Sequence, residues 1–445
     1  MLPGFPRRQE CDNKNMILKY RLLYRRRFTL CLVLLLAGVC SPLRADIYSG
    51  DRLNIDGDAR LKLIAIDELP LETGTKLPEL NYAETILGLW GTWQQSENIR
   101  YKAWIKTEFR NFATNKEANR YRFVDEFIFH ELSVEYSNLF DGFVDVTVGR
   151  FPLYYGHGLL ILESSPLDAE RSYGFNGIKT RLKFDGFNVD LIGIYSPDDD
   201  PLLMNNKHKK LKLLESDEEG FVAYMTNQSQ AWLPKDLYYM YKHEEPRFGR
   251  GDVYFHTLGF IVEESINDSL TAYWELAGQK GHRSGGGDTK GWLSDINFTY
   301  AWQDLAWKPE VFASNYYLSG DDPSTQTEEG WHGLWSRWPQ YSYLLVWSFI
   351  PKIGEWSNLN WSRIGARFYP DTASSFEFSF GPVKAPEKGP GGGKDRGDLL
   401  ILLYQHKFDE KLSVALRGEF LESGDYYPER DNLSWETRVD FKYSF

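Results

Sequence analysis

The last residues of the chain alternate between apolar and polar side chains without a break. Residues 433–445 read LSWETRVDFKYSF, with aliphatic or aromatic side chains at almost every second position and charged or small polar ones between them. A period of two predicts a β-strand with one apolar face and one polar face. Because an exposed edge this apolar would favour aggregation, the pattern predicts a strand that is paired on both sides, as in a closed barrel. A soluble edge strand is the alternative.

The same alternation, interrupted by turn residues, predicts further strands along the whole chain. The predicted set has eighteen members, at residues 58–68, 82–95, 98–111, 125–137, 142–151, 174–184, 187–196, 219–228, 235–243, 252–264, 269–280, 290–303, 309–319, 357–370, 373–383, 397–408, 411–422 and 433–445.

The connections between these strands decide which segments cross the membrane. Single-chain outer-membrane barrels have short turns on the periplasmic side and long loops on the outer side. The short turns at 185–186, 371–372 and 409–410 share one side only if residues 58–68 form the first strand and residues 343–350 belong to a long outer segment. The sequence therefore predicts an all-β, transmembrane antiparallel barrel with long extracellular loops, short periplasmic turns and both termini in the periplasm.

The first residues predict export from the cytoplasm. Basic residues between positions 19 and 27 precede an apolar run at 28–39, followed by small and polar residues, which is the pattern of a signal peptide. The run is shorter than the roughly 20 residues that a membrane-spanning helix needs. We expect residues 1–45 to be removed, which leaves residues 46–445 as a single barrel domain. The three cysteines, at positions 11, 31 and 40, all lie in the predicted leader, so no disulfide is expected.

Composition supports a place in the outer membrane of a Gram-negative bacterium. Aromatic residues make up 16% of the chain, as the interfacial girdles of a barrel require. The formal net charge of -12 disfavours binding to nucleic acid. The terminal Phe445, with aromatic residues at alternate positions before it, resembles the C-terminal signal that the barrel-assembly machinery recognises. Outer-membrane lipid and this machinery are the expected partners.

Motifs for catalysis or for a cofactor are missing from the sequence. His130 and Glu131 are followed by Val134 where a HExxH zinc site needs a second histidine, and the glycine run at 389–393 lacks the Ser or Thr that a phosphate-binding loop places after Lys394. We expect a protein that is not an enzyme and that holds no cofactor and no resident metal. The acidic loops at 197–220 and 319–331 are interpreted as solvated surface, with Ca²⁺ binding as the alternative.

Basic side chains recur on the faces that alternation turns inward. Carboxylates such as Glu131, Glu135, Asp145 and Asp190 share these faces. Two interpretations remain open: a pathway for anions, or interior ladders of ion pairs that hold the wall together. The residues predicted to line the substrate pathway are Arg110, Arg150, Lys179, Arg181, Arg363, Arg367 and Arg417.

One stretch resembles a known family. Residues 148–161, VGRFPLYYGHGLLI, are followed by the hairpin NGIKTRLKFDGFNVDLIGIY at 176–195 and later by SGDD at 319–322, and together these segments resemble the alginate-export family of outer-membrane porins. The positions that carry the resemblance are Gly149, Arg150, Tyr155 and Gly156, with Arg181 in the hairpin. Strict alternation would turn Arg150 outward unless Gly149 carries a bulge.

The resemblance implies an eighteen-stranded barrel with an electropositive, arginine-lined constriction through which a polyuronate leaves the cell passively. This chain departs from the family in its more acidic loops and in interior lysines where arginines are expected. The expected function is an outer-membrane channel for an anionic polysaccharide such as alginate, or for its oligomers. A diffusion or uptake porin for other small solutes is the alternative.

Overall fold

The computed structural model describes most of the chain beyond the predicted leader. The described residues are 47–77, 79–113, 126–163, 174–204, 212–214, 216–229, 234–246, 249–336, 341–349, 356–429 and 433–445. The predicted signal peptide, residues 1–45, lies outside them.

Long strands form almost all of the regular structure. The barrel strands are β2 (Leu53–Asp67), β3 (Leu80–Ser96), β4 (Ile99–Phe112), β5 (Phe127–Leu139), β6 (Val144–Phe151), β9 (Phe175–Phe184), β10 (Phe187–Ser196), β12 (Glu218–Asn227), β13 (Asp236–Glu244), β14 (Val253–Ser265), β15 (Leu270–Arg283), β16 (Gly287–Ala301), β17 (Glu310–Leu318), β19 (Leu359–Phe368), β20 (Ser374–Lys384), β21 (Asp395–Lys407), β22 (Leu412–Ser423) and β23 (Leu433–Ser444). The short elements are β1 (Tyr48–Ser49), β7 (Leu153–Tyr154), β8 (Ile161–Glu163), β11 (Leu203–Met204), β18 (Trp335–Ser336) and the helix α1 (Tyr343–Ser348).

The last strand closes the sheet on the first. β23 is antiparallel to β22 on one side and to β2 on the other, in a register that runs from Asp58 opposite Ser444 to Asp67 opposite Trp435. Beyond the register, Gly57 and Phe445 exchange two backbone hydrogen bonds of 2.8 and 2.9 Å. The predicted closed, antiparallel barrel of eighteen strands is confirmed in the part of the chain that the structure describes. Along the described residues, closure leaves no barrel strand with an unpaired edge.

Alternation separates a lipid face from a lumenal face. On the outer face Ile364, Leu258 and Trp292 leave 67%, 63% and 57% of their surface exposed, whereas the inward Lys62 and Glu84 are fully buried and form an ion pair. An outer surface this apolar is stable against lipid hydrocarbon but not against water. The sheet therefore spans a membrane, with its charged side chains facing the interior.

The two ends of the barrel differ in the length of their connections. The start of β2, the end of β23 and the short turns, such as 97–98, 185–186 and 266–269, lie at one end, and the described parts of the long segments 152–174, 197–217 and 319–358 lie at the other. Residues 343–350 belong to the third long segment, as predicted; within it residues 343–348 form α1. Among the described residues, no helix combines the length and the apolar character needed to cross a membrane.

Two of the long segments fold into the barrel and supply its core. They are the first insert, residues 152–163 after β6, and the second insert, the described residues of 319–358 between β17 and β19. β8 of the first insert pairs with β7 and, in parallel, with β18 of the second. Leu160 and Ile161 of the first insert and Leu344 of the second are buried in one apolar cluster with inward residues of the wall. The lumen is thus partly filled by packed chain at the end with the long loops.

Candidate substrate pathway

The positive φ of Gly149 redirects the chain at the end of β6. Its φ is +118°, a conformation that favours glycine, and a Cβ there would overlap the carbonyl oxygen of Leu132. The register runs through Gly149 without a shift, opposite Ser133 on one side and Gly177 on the other. No extra residue forms a bulge at Gly149. The direction of the Arg150 side chain therefore goes with the positive φ of Gly149 and not with an inserted residue.

That next side chain, Arg150, lies buried within the wall. It has no exposed surface and donates to Asp200 at 2.6 Å, to Asn176 at 2.7 Å and to the carbonyl oxygen of Phe129 at 2.9 Å. A guanidinium is suited to binding three acceptors at once because it offers several donors in one plane. Arg150 therefore fastens the loop after β10 to β5 and β9. Its place on a substrate pathway stays a prediction.

Tyr155 and Arg181 meet at one carboxylate. The hydroxyl of Tyr155 donates to Asp190 at 2.6 Å, and Arg181 donates to both oxygens of the same carboxylate at 2.7 Å each. The ring of Tyr155 also stacks on Tyr224, with 4.1 Å between ring centroids. The sequence identified Tyr155, Arg181 and Asp190 separately. The structure shows that Asp190 joins the first insert to the wall.

Gly156 lets the first insert lie close against the barrel wall. Its φ is +55°, and a Cβ would approach Ile261 to 2.6 Å and Glu275 to 3.3 Å. The next residue, His157, stacks on Tyr273 with ring centroids 3.6 Å apart and places its Nδ1 3.1 Å from a carboxylate oxygen of Asp295. Each of the four family-motif positions thus has a structural role in this chain. Gly149 and Gly156 allow the backbone conformation, and the side chains of Arg150 and Tyr155 anchor loops to the barrel wall.

The two inserts meet at Asp295. The hydroxyl of Tyr341, from the second insert, donates to Asp295 at 2.6 Å and lies 3.0 Å from Nδ1 of His157. Sequence reasoning missed this meeting point. Alternation shows that Asp295 faces inward, but no local pattern indicates which loop residue reaches it.

Arg363 on β19 differs from the other predicted arginines. It donates to the hydroxyl of Ser314 at 2.8 Å, and its guanidinium carbon lies 4.7 and 4.8 Å from the ring centroids of Tyr341 and Trp361. Among the described residues, no carboxylate lies within ion-pair distance of Arg363. The side chain is half-buried on the lumenal face, and its guanidinium contacts rings and a hydroxyl and, in the described ranges, no carboxylate.

The remaining arginines predicted for the pathway are ion-paired. Arg367 donates to Glu377 at 2.7 Å, Arg417 donates to Glu419 at 2.6 Å, and Arg110 donates to Glu84 at 2.9 Å. Glu419 also accepts hydrogen bonds from Ser342, Tyr343 and Leu344 at the start of α1, which fastens the second insert to β22. These contacts fit the interpretation of interior ion-pair ladders.

Lys179 on β9 has no ion pair within the described part of the chain. It is half-buried on the lumenal face, and its ammonium lies 5.9 Å from the ring centroid of Phe151. Lys179 and Arg363 sit on strands that are not neighbours in the sheet. Of the seven residues predicted for the pathway, these two are the ones that form no direct ion pair with a carboxylate among the described residues.

An aromatic recess opens on the inner faces of β2 to β5, in the half of the wall nearer the short turns. It encloses about 270 Å³ and is lined by Trp90, Trp104, Lys102 and Lys442, among others. The indole N–H of Trp104 is buried without a hydrogen-bond partner among the described residues, and Gly88 leaves the room beside it. Indole faces and ammonium groups side by side are suited to a sugar ring that carries a carboxylate.

The outer end of the second insert is held by charge. Glu328 accepts from Arg283 at 2.9 Å and also pairs with Arg250. Burial acts to raise the pKa of Glu328, but the hydrogen bonds and positive charges of Arg283 and Arg250 outweigh it and leave that pKa below its usual value. In the described ranges, no group of three or more His, Cys, Asp or Glu side chains is arranged to hold a metal ion.

The fold and its lumen define a class of protein. A closed barrel with an apolar outer belt, a charged interior and two inserts in its lumen is an outer-membrane channel, located in the outer membrane of a Gram-negative bacterium. The family model described as alginate export matches residues 57–439. The chain therefore belongs to the alginate export family. No curated protein matches the chain.

Solved structures from two bacteria share this fold. OccAB2 of Acinetobacter baumannii is 12% identical, with a TM-score of 0.58 and coverage of 89% of this chain and 98% of that one. OccAB1 of the same organism is 11% identical, with a TM-score of 0.56 and coverage of 90% and 99%. OccD3 (OpdP) of Pseudomonas aeruginosa is 9% identical, with a TM-score of 0.52 and coverage of 92% and 96%. At these identities the likeness shows the fold alone.

Proposed function

We propose that this channel conducts an anionic polysaccharide, alginate or a similar polyuronate, or its oligomers, across the outer membrane. The family supports a polyuronate as the solute. The observation that carries the proposal is Arg363, a lumenal guanidinium with no carboxylate partner among the described residues.

Arg363 has the chemistry of a uronate site. A guanidinium stays charged when it is partly desolvated and presents paired donors that match a carboxylate. The rings of Tyr341 and Trp361 pack against the guanidinium and hold it in position on the lumenal face. In this proposal Arg363 binds one uronate at a time, weakly, and releases it to the next site.

Lys179 and the aromatic recess extend the pathway in this proposal. An unpaired ammonium on β9 and the indoles of Trp90 and Trp104 supply further weak sites along the lumen. Repeated weak sites allow a long polyanion to move without being trapped at one of them. The ion-paired Arg110, Arg181, Arg367 and Arg417 contribute less to anion selectivity because their carboxylate partners cancel most of their charge. The buried Arg150 contributes by shaping the wall.

Replacing Arg363 and Lys179 together by Gln tests this proposal in planar lipid bilayers. Under a salt gradient we expect the reversal potential to shift toward cation preference, because two unpaired lumenal charges are lost. We also expect block by oligouronates to weaken several-fold, with each single variant between the wild type and the double variant.

The control variant leaves the net charge of the lumen unchanged. Arg367→Gln combined with Glu377→Gln removes an ion pair from the same strand region without changing the net charge, so its reversal potential is expected to stay at the wild-type value. An unchanged reversal potential in the Arg363 and Lys179 double variant would contradict the proposal. The interior cations would then be structural.

A diffusion or uptake porin for other small solutes is the second candidate function. The mixed lining favours it, since ion pairs such as Arg181 with Asp190 and Arg100 with Glu135 give the lumen both signs of charge. Conductance without block by oligouronates, in the wild type as in the variants, would support this candidate over the first.

We also propose how the mature protein is formed. Residues 1–45 are removed as a signal peptide, residues 46–445 form one barrel domain, and Phe445 serves in recognition by the barrel-assembly machinery. Mass determination of the protein purified from outer membranes tests the cleavage after Ala45, and a mass that includes the leader would contradict it.

A further inference from the structure

A row of basic side chains interrupts the apolar outer face of the barrel on three neighbouring strands. His256 of β14 lies directly opposite Lys280 of β15, and Lys280 lies directly opposite Lys290 of β16. All three side chains are exposed and point away from the lumen. We call these three residues the outer cation row.

The row lies near the end of the barrel that carries the long loops. β15 ends at Arg283 and β16 begins at Gly287, so Lys280 and Lys290 are three residues from the outer ends of their strands. At this height a strand of an outer-membrane barrel passes through the headgroup zone of the outer leaflet. The row therefore faces lipid headgroups and not hydrocarbon.

The side chains of the row are only partly paired within the described part of the protein. Lys290 pairs with Glu329 at 2.6 Å, and Nδ1 of His256 lies 2.7 Å from the hydroxyl of Tyr239. Lys280 has no ion pair or hydrogen bond among the described residues. Like charges directly opposite each other across two strands repel, and Glu329 offsets only Lys290, so an anion beside Lys280 would be stabilising.

An open cavity of about 650 Å³ is lined by the outer cation row and, nearer the middle of the membrane, by an apolar surface. Its lining includes the three basic residues together with Tyr239, Leu258 and Trp292, and one nearby carboxylate, Asp288. Asp288 is already 3.1 Å from His282. Leu258 and Trp292 are the next outward residues toward the middle of the membrane on their strands, and both are largely exposed. The cavity thus presents basic side chains toward the outer end of the barrel and an apolar surface toward the middle of the membrane.

We propose that the outer cation row binds the phosphate of a phosphorylated lipid headgroup in the outer leaflet. Lys280 and His256 contact the phosphate oxygens, Lys290 shares its charge between the phosphate and Glu329, and the acyl chains lie on Leu258 and Trp292. Cationic pockets beside an apolar surface bind anionic lipid headgroups in this way.

The charges elsewhere on the outer rim of the barrel favour placing the phosphate site on the side formed by β14, β15 and β16. On β21 and β22 the outward residues at the same end are Asp398 and Glu422, which lie directly opposite each other and would repel a phosphate. Lys384 at the outer end of β20 is exposed, but its cross-strand neighbours are Asn360 and Asp395. The bound lipid is a property of the barrel's outer face and does not depend on which solute the lumen conducts.

Purified lipopolysaccharide and a dephosphorylated preparation of the same lipid are the probes for the test. The folded barrel in detergent is incubated with each, re-isolated, and analysed by native mass spectrometry for lipid retained per barrel. We expect the wild type to retain the phosphorylated lipid at least fivefold more than the dephosphorylated one. We expect Lys280→Ala combined with Lys290→Ala to abolish that difference, and Lys280→Arg to keep it.

The matched control is Lys384→Ala, which removes an exposed lysine from the same end of the barrel and is expected to retain lipid as the wild type does. Heat-modifiable migration on gels verifies that each variant is folded. Equal retention of the two lipids by the wild type, or unchanged retention in the double lysine variant, would overturn the proposal. Displacement of the lipid by inorganic phosphate at low millimolar concentration would assign the site to free phosphate and would also overturn it.

Discussion

At the scale of single residues, Gly149 is a position where one methyl group is expected to matter. Its φ of +118° is unfavourable for alanine, at a cost of about 1–3 kcal/mol. The added Cβ would also meet the carbonyl oxygen of Leu132, which the sheet holds in place. We expect Gly149→Ala to lower the stability of the barrel by at least this amount, measured as a lower midpoint of urea unfolding followed by heat-modifiable migration.

Gly193 on β10 provides the matched comparison for this prediction. An added Cβ at Gly193 would have no atom within 4 Å, and the backbone there does not have a positive φ. Gly193→Ala is therefore expected to stay within about 0.5 kcal/mol of the wild type. Equal midpoints for the two alanine variants would show that the backbone at residue 149 tolerates a side chain.

At the scale of elements, the second insert is expected to loosen at acidic pH. Because the pKa of Glu328 is below its usual value, its ion pairs stabilise the insert fully above a pH of about 4.5. That stabilisation is lost as the pH falls below 4.5 and through the lower pKa of the folded state. A spin label on a cysteine at the exposed Thr325 should become several-fold more mobile over this range, reversibly, while the barrel stays folded.

The Glu328→Gln variant distinguishes the loss of the Glu328 ion pairs from other effects of acidic pH on the protein. The variant lacks the carboxylate, so the label is expected to be mobile at neutral pH and to change little on acidification. A label at Asp304, in the turn between β16 and β17 at the other end, should keep its mobility throughout. If the wild-type label at residue 325 shows the same mobility at pH 7 and pH 3, Glu328 does not hold the insert.

The elements also show what a sequence alone can and cannot predict. The strands were predictable because alternation is local: a stretch such as 433–445 carries its own pattern, and turn residues mark its ends. The inserts were not predictable in detail, because the contacts of Tyr341 with Asp295 and of Arg150 with Asp200 join residues far apart in the chain. Alternation indicates that Arg181 and Arg363 both face inward, but only the fold shows that Arg181 is paired with Asp190 while Arg363 faces rings and a hydroxyl.

At the scale of the whole molecule, the arrangement of long and short connections determines the orientation of the barrel. The long segments are expected outside the cell and the short turns in the periplasm, because the termini of outer-membrane barrels lie on the periplasmic side. All three cysteines precede residue 46, so a mature chain without its leader carries no thiol and an introduced cysteine is labelled without background.

Two single cysteines on intact cells test this orientation. Ser324, in the second insert, and Asp304, in the turn between β16 and β17, are both exposed and lie at opposite ends of the barrel. A membrane-impermeant maleimide should label Ser324→Cys on intact cells and Asp304→Cys only after the outer membrane is permeabilised. The reverse result would place the outer cation row in the inner leaflet and the inserts at the periplasmic mouth. Labelling of both positions on intact cells would mean that the reagent passes the lumen, and a bulkier maleimide that is excluded from the pore would then separate the two sides.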